Sequence, residues 1–155
     1  MPVTMEQVRK HLEPIEPDYV EAAMLGEESM PFLDQIASGN DSMLAPRAVH
    51  MASLIGGDHA VRIVRKATDS HDPVMRVQAA AVARYLPQEA AEDILLGALD
   101  DTDAGVRNFA LKTVKVMAAM PAAIQTKVRA LAASDPEPFI RGFASDLLRM
   151  ENPPR

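Results

Sequence analysis

Residues 61–86, VRIVRKATDSHDPVMRVQAAAVARYL, place two apolar stretches at helical spacing on either side of a polar turn. Ile63, Val64 and Ala67 share one face before the turn; Val74, Val77, Ala80, Ala81 and Leu86 follow it. Asp72-Pro73 offers a side-chain acceptor at an N-cap and a preset φ at the first helical position. Residues 94–117, ILLGALDDTDAGVRNFALKTVKVM, have the same grammar. A shift of 31 residues aligns Leu33, Val64 and Leu95; Ile36, Ala67 and Ala98; and Asp41, Asp72 and Asp103. It also aligns Ala48, Ala79 and Ala110, then Ile55, Leu86 and Met117. A fourth copy follows small insertions, with Val128, Leu131, Asp135 and Ala144 in the corresponding places. Helix stops are expected at Gly39, Gly56-Gly57, Pro87 and Pro121, and Asp58 is expected to cap a helix starting near His59. No segment keeps the two-residue alternation of a half-buried strand, so the chain reads as all-α.

These turns, followed by Met75-Arg76, Val106-Arg107 and Ile140-Arg141 and an Ala-rich second helix, resemble HEAT repeats over about residues 28–150. The resemblance implies a right-handed α-solenoid of about four helical hairpins, near 28–57, 58–87, 88–120 and 121–150. The first copy departs from the pattern: Ala45 holds the Arg position, and Arg47 follows two residues later behind Pro46. In the fourth, Pro136 and Pro138 predict an extended entry into the last helix. Thr4 and Gln7, and Asp18 and Glu21, have capping-box spacing. They predict short helices over 4–13 and 18–25, so residues 1–27 read as an acidic N-terminal cap on one structural domain. Residues 151–155 read as a frayed tail.

Composition agrees with close helix packing. The 155 residues include 25 Ala and six aromatics, with no Trp, and 48% are apolar. Sixteen basic and 22 acidic residues give −6, but residues 1–41 alone carry −7 and residues 42–155 carry +1. The acidity thus belongs to the N-terminal quarter, and the overall balance argues against a nonspecific nucleic-acid binder. The absence of Cys excludes disulfides, thiolate metal sites and cysteine nucleophiles. The opening MPVTMEQVRKHLEP lacks the apolar stretch of a signal peptide, and no apolar run reaches membrane-spanning length. A cytoplasmic protein without a membrane partner is expected.

No catalytic constellation emerges. Asp72, Arg76, Asp103, Arg107, Asp135 and Arg141 recur with the repeat, as a structural ladder does and an active site does not. Each Asp is expected to cap its own second helix while Arg bonds the turns of a neighbouring repeat. His11, His50, His59 and His71 show no His-x-x-x-His spacing, and none is followed by Glu. The His-Glu pairs of the HEAT-like deoxyhypusine hydroxylases are therefore missing, and the histidines read as surface or turn residues. The serines lack a nucleophile elbow and the glycines form no phosphate-binding loop. No metal and no cofactor is expected. Met75 and Met117 fall in core columns, whereas Met24, Met30 and Met43 cluster near the N-terminal junction.

A second polar column carries more functional content. Arg84 and Lys115 are 31 residues apart, Arg149 lies 34 further on, and Lys112 sits one turn before Lys115. Ser53 holds the equivalent place in the first copy. HEAT second helices usually line a concave surface, so the resemblance implies a basic stripe there, suited to an acidic protein or peptide. Non-catalytic protein binding is the leading expectation, with Arg84, Lys112, Lys115 and Arg149 as candidate contacts. The alternative is an accessory subunit of a phycobilin-lyase-like, chromophore-handling machine, since the repeats also resemble those of phycobilin lyases. Nucleic acid is disfavoured by the few aromatics available for base stacking. The partner's identity and the oligomeric state are left open.

Overall fold

The computed structural model describes residues 2–152. Ten α-helices follow one another: α1 (Met5–Leu12), α2 (Tyr19–Ala23), α3 (Met30–Ala37), α4 (Leu44–Ile55) and α5 (Gly57–Thr68). Then come α6 (Pro73–Val82), α7 (Gln88–Leu99), α8 (Ala104–Lys115), α9 (Ala122–Ser134) and α10 (Pro138–Glu151). Short 3₁₀ turns over Glu27–Ser29 and Ala83–Tyr85 complete the described residues, which contain no strand.

From α3 onward the helices pack in sequential pairs, α3 on α4, α5 on α6, α7 on α8 and α9 on α10. Odd-numbered helices also touch the next odd one, and even-numbered helices the next even one. The alanine column explains how the even helices come so close: Ala48, Ala79, Ala110 and Ala144 are all fully buried. None of the six aromatics belongs to the buried hydrophobic core, which consists of Ala, Val, Leu, Ile and Met. Met30, Met51 and Met75 are in it, while Met24 and Met43 are exposed.

The caps mostly follow the sequence. Thr4 and Gln7 form a reciprocal capping box on α1, and Asp18 accepts from the Glu21 N–H at the start of α2. Asp72 and Asp103 accept from the N–H groups of Val74 and Val106, opening α6 and α8. Asp58 does not cap. Gly56 and Gly57, at φ of +83° and +85°, turn the chain so tightly that α5 starts at Gly57, which leaves Asp58 in its first turn. Glu151 still belongs to α10, so the helix runs into the expected frayed tail; residues 153–155 lie outside the described residues.

The N-terminal segment is anchored through Val8, Leu12 and Ala22, all fully buried, with α1 against α3 and α4 and α2 against α4. Arg47, displaced from the repeat position, serves this junction. Its guanidinium donates to the carbonyls of Leu12 (2.7 Å), Pro14 (2.6 Å) and Ile15 (3.3 Å). Carbonyls at the end of α1 have no further helical N–H to meet, so a cation there satisfies them directly.

The Asp–Arg ladder is present, with one change of membership. Arg76 Nη1 donates to the carbonyls of Ser70 and His71 in its own turn, while its Nε and Nη2 grip Asp101 of the next turn at 2.9 and 3.2 Å. Arg107 repeats this with the carbonyls of Asp101 and Thr102 and, at 2.8 and 3.0 Å, with Asp135. Arg141 bonds the carbonyls of Asp135 and Pro136. Asp135 is therefore the counterpart of Asp101, not of the capping residues Asp72 and Asp103. Glu137 stands at the N-cap of α10 and makes no side-chain cap bond. The turn before α8 thus has two acidic places with separate work, Asp101 gripping the preceding Arg and Asp103 opening the helix. On the odd helices, Lys66–Asp34, Arg65–Asp93 and Lys127–Asp100 form an exposed second line of pairs, worth little individually.

Candidate binding surface

Three of the four basic candidates lie at the ends of even helices. The helix α6 tightens into the 3₁₀ turn Ala83–Tyr85, and Leu86 is extended, as a residue before proline prefers. That geometry turns Arg84 and Tyr85 outward, with the Arg84 guanidinium 5.2 Å from the centre of the Tyr85 ring. Lys115 is the last residue of α8 and Lys112 lies one turn earlier, its ammonium 4.5 Å from the Phe109 ring centre. Arg149, in the last turn of α10, is exposed and bonded to Asp146 on the same helix, which offsets its charge locally. Ser53, the equivalent residue in α4, is buried and donates to the His50 carbonyl, so the basic column stops at α6.

Between the ends of α6 and α8 lies an open cleft of about 420 Å³. Arg84 and Tyr85 form one wall, Val116 and Met117 the other, and Leu95 lines it from α7. Lys115 immediately precedes Val116. Tyr85 and Val116 are each about half exposed, at 44% and 52%. The cleft therefore sets the Arg84 guanidinium beside apolar side chains. Thr113 supports it from below, since its hydroxyl donates 2.8 Å to the Ala80 carbonyl and ties α8 to α6. Ala80 is among the last four residues of α6, where carbonyls run short of helical partners.

His50 extends this surface toward the N-terminus, a role that the sequence reading of a plain surface histidine missed. Its ring stacks 4.0 Å from Tyr19 and 6.1 Å from Tyr85, centre to centre. Burial lowers the imidazole pKa, and burial raises that of the Tyr19 phenol against a smaller opposing effect of Arg47. The unfolded imidazole takes up a proton at about pH 6.5 and the stacked one only below that. Unfolding therefore binds protons, and the His50 contribution to stability is lost as pH falls below about 6.5. Replacing His50 with Phe keeps a stackable ring. It is expected to flatten this part of the pH dependence, read from thermal melts between neutral and mildly acid pH. An unchanged slope would place the titration elsewhere.

His59 Nε2 is 3.9 Å from Asp34, which Lys66 already holds at 2.9 Å. Among the described residues no three His, Asp or Glu side chains converge as a metal site, and no helix is long and apolar enough to cross a membrane. No protein-family model matches this chain, and no curated protein shows significant similarity to it.

Proposed function

We propose that the chain is a HEAT-like right-handed α-solenoid, a cytoplasmic, non-catalytic scaffold that binds a protein partner on the face of its even-numbered helices. The stacking of odd on odd and even on even helices supports the architecture, as do the Arg–Asp links from each turn to the next. The observation that carries the function is the cleft between Arg84-Tyr85 and Val116-Met117. Exposed rings beside cations are a composition that interfaces favour. Such a cleft fits a segment presenting an apolar side chain flanked by carboxylates.

Reversing two charges, Arg84→Glu with Lys115→Glu, tests this reading. Both residues are exposed, and neither donates a hydrogen bond to another described residue, so the helical circular dichroism signal should be unchanged. Binding to a partner captured by the native chain is expected to weaken about tenfold or more, roughly 1.4 kcal/mol. Charges at an interface margin act largely on the association rate, so the loss should be greater at low salt. Equal affinity in the variant would remove this cleft from the function.

A further inference from the structure

The ladder is incomplete at one place, and both halves of the missing link are absent together. Three turns share one geometry, in which the backbone N–H of the helix-opening residue donates to the residue two before it. These pairs are Asp72 with Ser70, Asp103 with Asp101, and Glu137 with Asp135. An aspartate at the accepting place occurs only where the preceding helix supplies an arginine: Asp101 meets Arg76, and Asp135 meets Arg107. In α4 the arginine's place is taken by Ala45, and the turn that would receive it has Ser70. Arg47 cannot substitute, because its guanidinium is bound to the N-terminal segment.

Ala45 leaves a cavity of about 520 Å³ between the turns of the first two helical pairs. Gly39 and Asn40 line it, and their carbonyls are by repeat position the counterparts of the pairs that accept from Arg76, Arg107 and Arg141. No hydrogen bond from a described residue reaches either carbonyl. Asp41, Asp69 and Asp72 line the same space, and its one lysine, Lys66, is held by Asp34. Three equivalent carbonyl pairs of this molecule each hold a guanidinium, so the fourth has the acceptors for one, a surplus of negative charge and the room.

We propose that this cavity binds a guanidinium from outside the chain, with the Gly39 and Asn40 carbonyls taking one edge and the surrounding carboxylates compensating its charge. A planar fork of N–H donors suits two adjacent carbonyls better than a compact ammonium does. The source is an arginine side chain of a partner protein or a small guanidino compound. The site lies at the N-terminal ends of α4 and α6, away from the Arg84 cleft, and nothing in it depends on that cleft.

The test titrates the ¹⁵N-labelled full chain with acetyl-Gly-Arg-Gly-amide, the same peptide with Lys or citrulline, and agmatine, following amide shifts. The arginine peptide should shift Gly39, Asn40, Ser70 and His71 saturably in the millimolar range. Lysine should bind at least several-fold more weakly and citrulline undetectably. Agmatine matching the arginine peptide identifies a small-molecule guanidine as sufficient, and a clear preference for the peptide identifies a partner's side chain; both support a guanidinium site. Ala45→Arg with Ser70→Asp, which supplies the link from within, should raise the melting temperature and abolish the arginine shifts. Asp41→Asn with Asp69→Asn preserves the capping geometry and should weaken binding severalfold, so the idea is testable even if the first variant folds poorly. Equal shifts from arginine and lysine peptides, arginine shifts that persist in a folded Ala45→Arg/Ser70→Asp chain, or undiminished binding in the folded Asn pair overturn the proposal.

Discussion

Arg107→Ala is expected to destabilise the chain by about 3–5 kcal/mol, the usual result of removing one partner from a buried ion pair. The Asp135 side chain is 1% exposed and that of Arg107 10%, so water cannot replace the guanidinium without opening the α8–α10 region. Two hydrogen bonds to the carboxylate and two to the Asp101 and Thr102 carbonyls go at once. At roughly 2–4 °C per kcal/mol for a chain of this size, the melting temperature should fall by about 10 °C. The loss should depend on pH in a definite sense. Burial raises the Asp135 pKa, but the Arg107 hydrogen bonds, the Glu137 N–H and the charges of Arg107 and Arg141 more than offset it, so the net shift is downward. A carboxyl lowered in the fold contributes its stability above the unfolded value of about 3.9, and loses it as pH falls through the folded value. In the variant burial acts against a weaker cation field, the carboxyl rises, and protonation relieves the unpaired charge. Urea denaturation should therefore show the widest gap between native and variant chains at neutral pH, narrowing towards about pH 4. A cost below about 1 kcal/mol would mean that Asp135 finds another partner. Arg107→Met with Asp135→Leu should recover most of the loss, because the desolvation of two charges is removed with their attraction.

The same pair shows how far the sequence could be read. The all-α class, the pairing of helices and the caps at Asp72 and Asp103 were legible, because periodicity and capping act within a few residues of chain. The ladder was legible in kind, since Arg76, Arg107 and Arg141 recur. Its acidic side was misassigned because the turns before α8 and α10 each carry two acidic residues only two apart. The fourth copy, aligned across small insertions, set Asp135 against Asp103, whereas the spacing that carries Arg107 to Arg141 makes Asp101 its true counterpart. Arg47 was seen as out of place, but its target on Leu12, Pro14 and Ile15 lies more than thirty residues away and has no local signature. The Tyr19–His50–Tyr85 stack joins three segments through tertiary packing alone. For the binding surface, Arg84 and Lys115 could be aligned from the sequence. The cleft itself could not, because it depends on α6 tightening and on how Val116 and Met117 leave α8.

Leu111→Ala is expected to cost about 2–5 kcal/mol, towards the upper part of that range. Leu111 is fully buried in α8, and its neighbours along the helix, Ala110 and Val114, are buried as well. How much a truncated leucine costs depends on how well its surroundings collapse into the space left behind. Here they have little to offer. The buried core is rich in alanines, which have no side-chain torsion that could swing a group into the gap, and in valines, which are stiff at χ1, while the aromatic rings pack at most against its edge. The remaining way to close the gap is to move a helix, but Thr113, bonded to the Ala80 carbonyl, and Arg107, bonded to Asp135, pin α8 to α6 and to the turn before α10. The cavity should therefore persist, lowering the denaturation midpoint with little change in its slope, since the surface exposed on unfolding is almost the same. A cost below about 1 kcal/mol would show that α8 settles onto its neighbours. In that case the polar links do not fix helix spacing, and the scarcity of rings in this chain has no mechanical consequence.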